Sequence, residues 1–272
     1  MIVRAILSVI VLGVSFLFWF LYAMGHPRPG EPRFIYRFRR HPSAIPEYIA
    51  LLGYGLFQPR MLRTGATRSE SAEPLPGDDL VPDPKWEETR ATTVDIPPEH
   101  LWPWIVQMGG NRAGWYWWTP GEAFPEYASY ITYTEAVLPQ FQTLNVGDRL
   151  SDGGPYSTEE RGNWVVRAIE PCRHLVLYAA RQVSGGADFD NAAHKPSGIW
   201  FLSSWAFVLR PTGHHQTRWL VRVRATGGPA WFFPLIRFVL GKGDTVAHRS
   251  MFERVKARAE ANYVESQRLN AA

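Results

Sequence analysis

The residues of this chain best equipped to recognise a ligand are aromatic. Among 272 residues there are 12 Trp, 11 Tyr and 15 Phe, and rigid rings of this kind line apolar pockets in which a few polar groups fix orientation. Trp102, Trp115, Tyr116, Trp205 and Trp219 are the candidate ligand-binding residues, with ordinary core packing the alternative for each. Arg218, Arg222 and Arg224 have the side chains to pair with a carboxylate or phosphate. They alternate with Trp219, Val221 and Val223, however, and on a strand that alternation sends them to the opposite face, where a solvated row is expected.

Signals for nucleophilic or metal chemistry are weak. There is no Gly-x-Ser-x-Gly, and Cys172, the single cysteine, follows Pro171 in an expected turn with no His-based signature nearby. His214 and His215 are adjacent in an expected hairpin loop, which points their rings apart and gives no metal-ligand spacing. Asp188-Phe189-Asp190-Asn191 offers oxygens but lacks the Gly and terminal Glu of a calcium loop. Gly109-Gly110-Asn111-Arg112-Ala113-Gly114 has Asn where a dinucleotide loop needs its second glycine. No metal site, cofactor or catalytic residue is therefore predicted. Tyr116, His100 and Glu99 are the groups that acid–base chemistry would use, although nothing in their spacing requires it.

The elements that must position these residues follow from periodicity. Ala5 to Met24 carries no charge, and a helix of that length spans about 30 Å, the thickness of a bilayer's hydrocarbon core. Arg4 precedes it and Arg28, Arg33, Arg37, Arg39 and Arg40 follow it, so the positive flank predicts a single-pass cell-membrane protein with its C-terminal part in the cytoplasm. A cleaved signal is the alternative, with Ala23-Met24-Gly25 a weak cleavage motif. Up to residue 70 there are nine Lys and Arg against three acidic residues, and beyond it 20 against 22. The surplus charge thus lies beside the anchor, where Arg33, Arg37, Arg39 and Arg40 suit anionic lipid headgroups, and no nucleic-acid footprint is left for the remainder.

Residues 25–84 read as a juxtamembrane linker, with a possible surface helix over 46–62 and a polar, Pro-rich connector from Ser69 to Pro84. The folded domain, 85–269, opens with a strand near Glu88, followed by a short buried helix from Glu99 to Met108. Strands are expected over Trp164–Ile169, His174–Ala180, Trp200–Leu209 and Thr217–Ala225. A closing helix from Asp244 to about Leu269, after a break at Gly241 to Gly243, carries the apolar stripe Phe252, Val255, Ala259 and Tyr263, with Arg249, Glu253, Lys256 and Glu260 outward. Such a chain is α+β, an antiparallel sheet covered by a long helix.

RTGATRSESAEPLPGDDLVPD at 63–83 and TRATTVDIPPEHLWPWIVQMGGNRAGWYWWT at 89–119 carry a family resemblance. It continues in FQTLNVGD at 141–148, SWAFVLRP at 204–211, TRWLVRVR at 217–224 and MFERVKARAE at 251–260. Together these stretches resemble the bacterial branch of the START/Bet v 1-like superfamily, also called SRPBCC or polyketide cyclase-like, here with an N-terminal transmembrane helix. Arg112 and Asp148 match the family pattern, although a surface Arg and a turn-stabilising Asp would serve as well. The chain departs from that pattern at Trp117-Trp118-Thr119, where relatives more often carry a small or polar residue.

The resemblance implies a helix-grip fold, a curved antiparallel sheet around a long C-terminal helix with an apolar cavity between them. It also implies a hydrophobic ligand or lipid in that cavity. Some members are cyclases or dehydratases, so a membrane-tethered enzyme is the alternative function, and a protein-interaction module without ligand is a third.

Overall fold

The computed structural model describes residues 63–116, 133–151, 163–182, 198–213, 215–231 and 233–271. The expected spanning helix over 5–24, the arginines of 33–40 and the stretch 46–62 lie outside them. Among the described residues no helix is long and apolar enough to cross a membrane.

Six strands form one sheet: β1 (Trp86–Val94), β2 (Arg149–Ser151), β3 (Asn163–Glu170), β4 (His174–Gln182), β5 (Trp200–Pro211) and β6 (Thr217–Gly228). Their spatial order is β1-β6-β5-β4-β3-β2, and every neighbouring pair is antiparallel. Strands β2 to β6 are thus a meander, and β1 returns to pair with the last of them. The expected turn after Glu170 is present, closed by Arg173 N–H donating to Glu170 O at 3.0 Å with Cys172 in the left-handed region.

The sheet has two covered faces. On the inner one, register aligns Glu88 with Val223, Val223 with Trp205, and Trp205 with Leu177; the next row runs Arg90, Val221, Phe207, Leu175. Above this face lie α1 (Pro98–Val106), one of whose first residues is the helix-compatible Pro98, and α2 (Phe233–Asn270). Leu101, Trp104 and Ile105 of α1 and Met251, Phe252, Val255 and Ala259 of α2 close the main core, with Tyr263 packed at its margin. The expected break at Gly241 to Gly243 is absent, since α2 runs continuously from Phe233. A glycine inside a helix costs only about 1 kcal/mol, which a helix of this length absorbs.

Two of the residues expected on the outer side of α2 turn out to dock it. Lys256 Nζ donates to Thr93 O at 2.6 Å, and Glu260 Oε1 accepts the Asp95 amide at 2.8 Å. Arg249 and Glu253 do lie outward as expected, and they pair with one another in solvent.

The outer face corrects a second expectation. Arg218, Arg222 and Arg224 do alternate with the inner-face residues, but the face they occupy is dry because residues 63–83 fold back across it. That segment, expected to be a connector, holds a one-turn clasp helix (Arg68–Ala72) and a 3-10 turn at Asp78–Leu80. Its Leu75 packs on Ala91, Val176, Ala206, Val208 and Leu220, and its Val81 on Tyr178, Ala180, Trp200 and Leu202. The apolar residues of the clasp are spaced irregularly among Pro, Gly and acidic residues, so no periodicity announces them.

The arginines hold this segment down. Arg222, 2% exposed, donates to Thr89 Oγ1, Asp78 Oδ2 and the carbonyls of Glu70, Ser71 and Glu73, all at 2.7–3.0 Å. Arg224 donates to Asp78 O, and Arg218 makes a fork to both carboxylate oxygens of Glu70 at 2.7 and 2.9 Å. Arg218 also donates to Gly65 O at 2.6 Å. Gly65 has φ +73, and a Cβ there would overlap the Ala91 carbonyl, so the close approach of the clasp to β1 requires glycine.

This network carries a pH signature. The Arg218 hydrogen bonds are the main cause holding the Glu70 carboxyl down at about 2, against burial, which pushes it up. A carboxylate depressed in the folded state contributes stability that is complete above its unfolded value, near 4.5, and is lost as pH falls toward 2. Glu70→Gln is expected to flatten the fall of Tm between about pH 4.5 and pH 2. An acid limb of unchanged steepness, followed by circular dichroism, would contradict this assignment.

Candidate functional site

Three ionisable groups sit where they would not be expected, two of them placed by strand parity and one by a helix. Glu88 and Arg90 share the inner face of β1 with Val94, and His248 comes down on them from α2, one turn before Phe252. All three are 2% exposed. Arg90 Nη1 donates to Glu88 Oε1, and the same nitrogen lies 3.0 Å from His248 Nδ1. Because a guanidinium has only protons to give, Nδ1 accepts, and the imidazole is neutral with its proton on Nε2. His248 Nδ1 is 3.7 Å from Glu88 Oε1, so the three groups form one cluster. Burial pushes the Glu88 carboxyl above the usual carboxylate range, opposed by the charge and hydrogen bond of Arg90 and by the Trp86 indole.

Aromatic rings surround this cluster on the sheet side. Trp205, in the same row as Glu88, meets the His248 ring edge-on at a centroid distance of 5.4 Å. It also stacks on Trp115 at 4.9 Å and touches Trp164 at 5.3 Å and Phe207 at 4.8 Å. An ion pair in such surroundings loses hydration that its own attraction barely restores, so a hydrophobic substitute of similar volume would serve the fold as well or better. A gain in stability is therefore a weak reason for the cluster. Glu88, a carboxyl whose affinity for its proton is raised in an apolar setting, has a property found at many functional sites and in some structural ion-pair networks.

Four of the five candidate residues predicted from sequence are buried in the main core, and Trp102 packs at its margin. Trp115 and Trp205 are brought into contact with one another. The indole of Trp115 is anchored as well, donating from Nε1 to Ser151 O at 2.8 Å. Tyr116, held at φ 60, sits edge-on to Trp104 at 6.1 Å, and its hydroxyl accepts from Gln107 Nε2 at 2.5 Å. Burial raises its phenol above the ordinary value. Trp219 meets Phe252 of α2 edge-on at 4.6 Å. The Nε1 atoms of Trp219 and Trp104 are both buried without an acceptor, and an unmet indole N–H costs about 1–3 kcal/mol.

The acid–base trio considered from sequence is not assembled. Glu99 and His100 are exposed, the latter against Tyr263 with ring centroids 4.6 Å apart. Asp148 does stabilise a turn, accepting the Asn145 amide at 2.8 Å. Arg112, taken as a surface residue, is half-buried and donates to the carbonyls of Val106, Phe141 and Thr143, joining α1 to the segment before β2. His214 and Asp188 to Asn191 lie outside the described residues. Among the described residues no group of three His, Cys, Asp or Glu side chains has the arrangement to hold a metal.

Glu88, Arg90 and His248 were missed because each looks ordinary in sequence. The signal was present in β1, where 88 and 90 have the parity of Val94 and Ile96, both fully buried. Charge on the buried parity of a strand needs an explanation. For His248 the clue was its spacing of four from Phe252, which sets it on the apolar stripe.

No protein-family model matches the chain, and no curated protein matches it. Solved structures that resemble it include MLL2253 from Mesorhizobium loti, 16% identical over 65% of this chain and 98% of that one, with a TM-score of 0.34. CalU16 from Micromonospora echinospora is 14% identical over 64% of this chain and 84% of its own, with a TM-score of 0.30. DynU16, from the dynemicin biosynthetic locus, is 12% identical with a TM-score of 0.32; the match takes in 64% of this chain but only 48% of DynU16. The fold assignment itself rests on strand order and register: α+β, with a six-stranded antiparallel sheet and a C-terminal helix across its inner face, an arrangement that fits the expected helix-grip.

Proposed function

We propose that this chain is a membrane-anchored, START/Bet v 1-like binding protein for a hydrophobic small molecule or lipid held between the inner face of the sheet and α2. The observation that supports this most is the Glu88, Arg90 and His248 cluster, buried beside Trp205 where stability is a weak reason for it. The unmet indole N–H groups of Trp219 and Trp104 add donors that an oxygen-bearing ligand would satisfy. The apolar run from Ala5 to Met24 and the arginines after it supply the anchor, and the bilayer would be the source of the ligand.

Organic-solvent extraction of the purified full-length protein, followed by mass spectrometry, tests this reading. A hydrophobic molecule recovered near one per chain, and reduced several-fold in Trp205→Ala, is the expected result. Extracts indistinguishable from those of an unrelated anchored protein, together with no uptake of added lipid, would rule it out.

A second reading, a membrane-tethered cyclase or dehydratase, draws on the same cluster, since a neutral imidazole beside a carboxyl with raised affinity for its proton is an acid–base pair. Turnover of a polyketide-like substrate that is lost in His248→Gln would favour it over binding alone.

A further inference from the structure

Where β6 hands over to α2, the molecule turns a large ring outward. Trp231 is 74% exposed, more than the other exposed large apolar residues among those described, the aliphatic Val146, Val264 and Leu269. An indole has an apolar body and one N–H, and it is enriched where a bilayer meets water. Its sequence neighbours are of the same kind. From 231 to 240 the chain reads WFFPLIRFVL, and between Pro229 and Gly243 the charged residues are Arg237 and Lys242, with no acid. Helix α2 begins within this run, at Phe233. An apolar stretch of about 10–14 residues is too short to span a bilayer and suits either a buried core or, with positive charge, the membrane interface. Trp231, at the head of the run, is not buried, which favours the interface.

The sheet brings positive charge to the same end. Gly228 closes β6 opposite Trp200, the first residue of β5, and Trp86 opens β1 opposite Ala225. Lys85, exposed just before β1, donates from Nζ to Gly227 O at 2.7 Å, so its ammonium lies beside the end of β6. Arg181 of β4 is in the row of Phe201 and Gly227. Of the acids nearby in β1 and the segment before it, Glu87 is paired with Arg224, and Asp83 is exposed. The far end of α2 lacks this character: Val264 and Leu269 are exposed there among Glu265 and Arg268, whose charges cancel.

We propose that this end of the domain, led by Trp231 and the apolar start of α2, docks on the surface of a bilayer containing anionic lipid. The inference rests on the membrane anchoring proposed above and adds the face that the domain turns to the lipid. Residues 25–62, between the expected span and the clasp, can extend over at most about 130 Å. A tether of that reach permits many orientations and selects none. The exposed indole and the surrounding positive charge make the selection.

Tryptophan quenching by brominated lipid tests this in the full-length protein. The background is Trp19→Phe, which removes the indole of the expected span. It is reconstituted in nanodiscs of phosphatidylcholine and phosphatidylserine, with or without bromine on the acyl chains near the headgroup. Brominated discs are expected to dim this protein, and Trp19→Phe/Trp231→Phe should lose most of that quenching, since the two proteins differ in one exposed ring. The Tm should be the same for both, as for other substitutions in solvent. Equal quenching in the two proteins, or none in either, would overturn the docking face. Wild-type protein quenched through Trp19 alone would do so while leaving the anchor in place, whereas a chain that does not enter the discs would overturn both.

Discussion

Replacing Arg222 by Met will lower the stability of the domain by about 3–5 kcal/mol, the range seen when one partner of a buried, hydrogen-bonded charge pair is removed. Arg222 is the point at which the clasp is fastened. Three of its five bonds go to carbonyls at the end of the clasp helix, and a helix of five residues has no stability of its own. A fourth neutralises Asp78, whose carboxylate also accepts the Leu75 amide at 2.9 Å and so positions the clasp's main apolar contact. Methionine keeps much of the volume and none of the donors. The Tm, followed by circular dichroism, should fall by about 6–20 °C for a domain of this size, and residues 64–82 should become sites of proteolysis. Arg173, in an exposed pair with Glu170, is the control, with a change on truncation within about 0.5 kcal/mol. Equal effects at the two positions would show that the clasp does not depend on Arg222.

The clasp also marks where sequence reasoning stopped. Alternation in TRWLVRVR separated the two faces of β6 correctly, because period two is a property of the strand alone. Whether a face is wet depends on what covers it, and here the cover comes from 144–152 residues earlier in the chain, in a stretch without periodicity. Strands β3 to β6 were legible to within a few residues, since their β-branched and aromatic runs are bounded by clear turn residues. The aromatic candidates were legible as buried rings, but their contacts were not: Trp115 and Trp205 are 90 positions apart, and only the fold stacks them. Glu88, Arg90 and His248 were hidden for the same reason, since 158 residues separate Arg90 from the imidazole beside it.

The second large effect concerns that cluster and has opposite signs for one substitution and two. Arg90→Met alone leaves the Glu88 carboxylate buried with no cation and should cost about 3–5 kcal/mol at neutral pH. The loss should shrink as the pH is lowered, because Glu88 can then be protonated. In Glu88→Leu/Arg90→Met both charges are gone and the space is filled by apolar atoms, so stability should return to within about 1 kcal/mol of wild type or exceed it. Urea unfolding of the three proteins measures this directly. A double variant as damaged as the single one would mean that the ion pair is needed by the fold itself.

Ligand occupancy in that double variant, measured by native mass spectrometry of the full-length protein, bears most directly on the assignment of a ligand site beneath α2. The wild type is expected to carry one hydrophobic molecule per chain, and the double variant to be folded and empty of it. A double variant that is stable and carries the same molecule at the same occupancy would contradict the assignment.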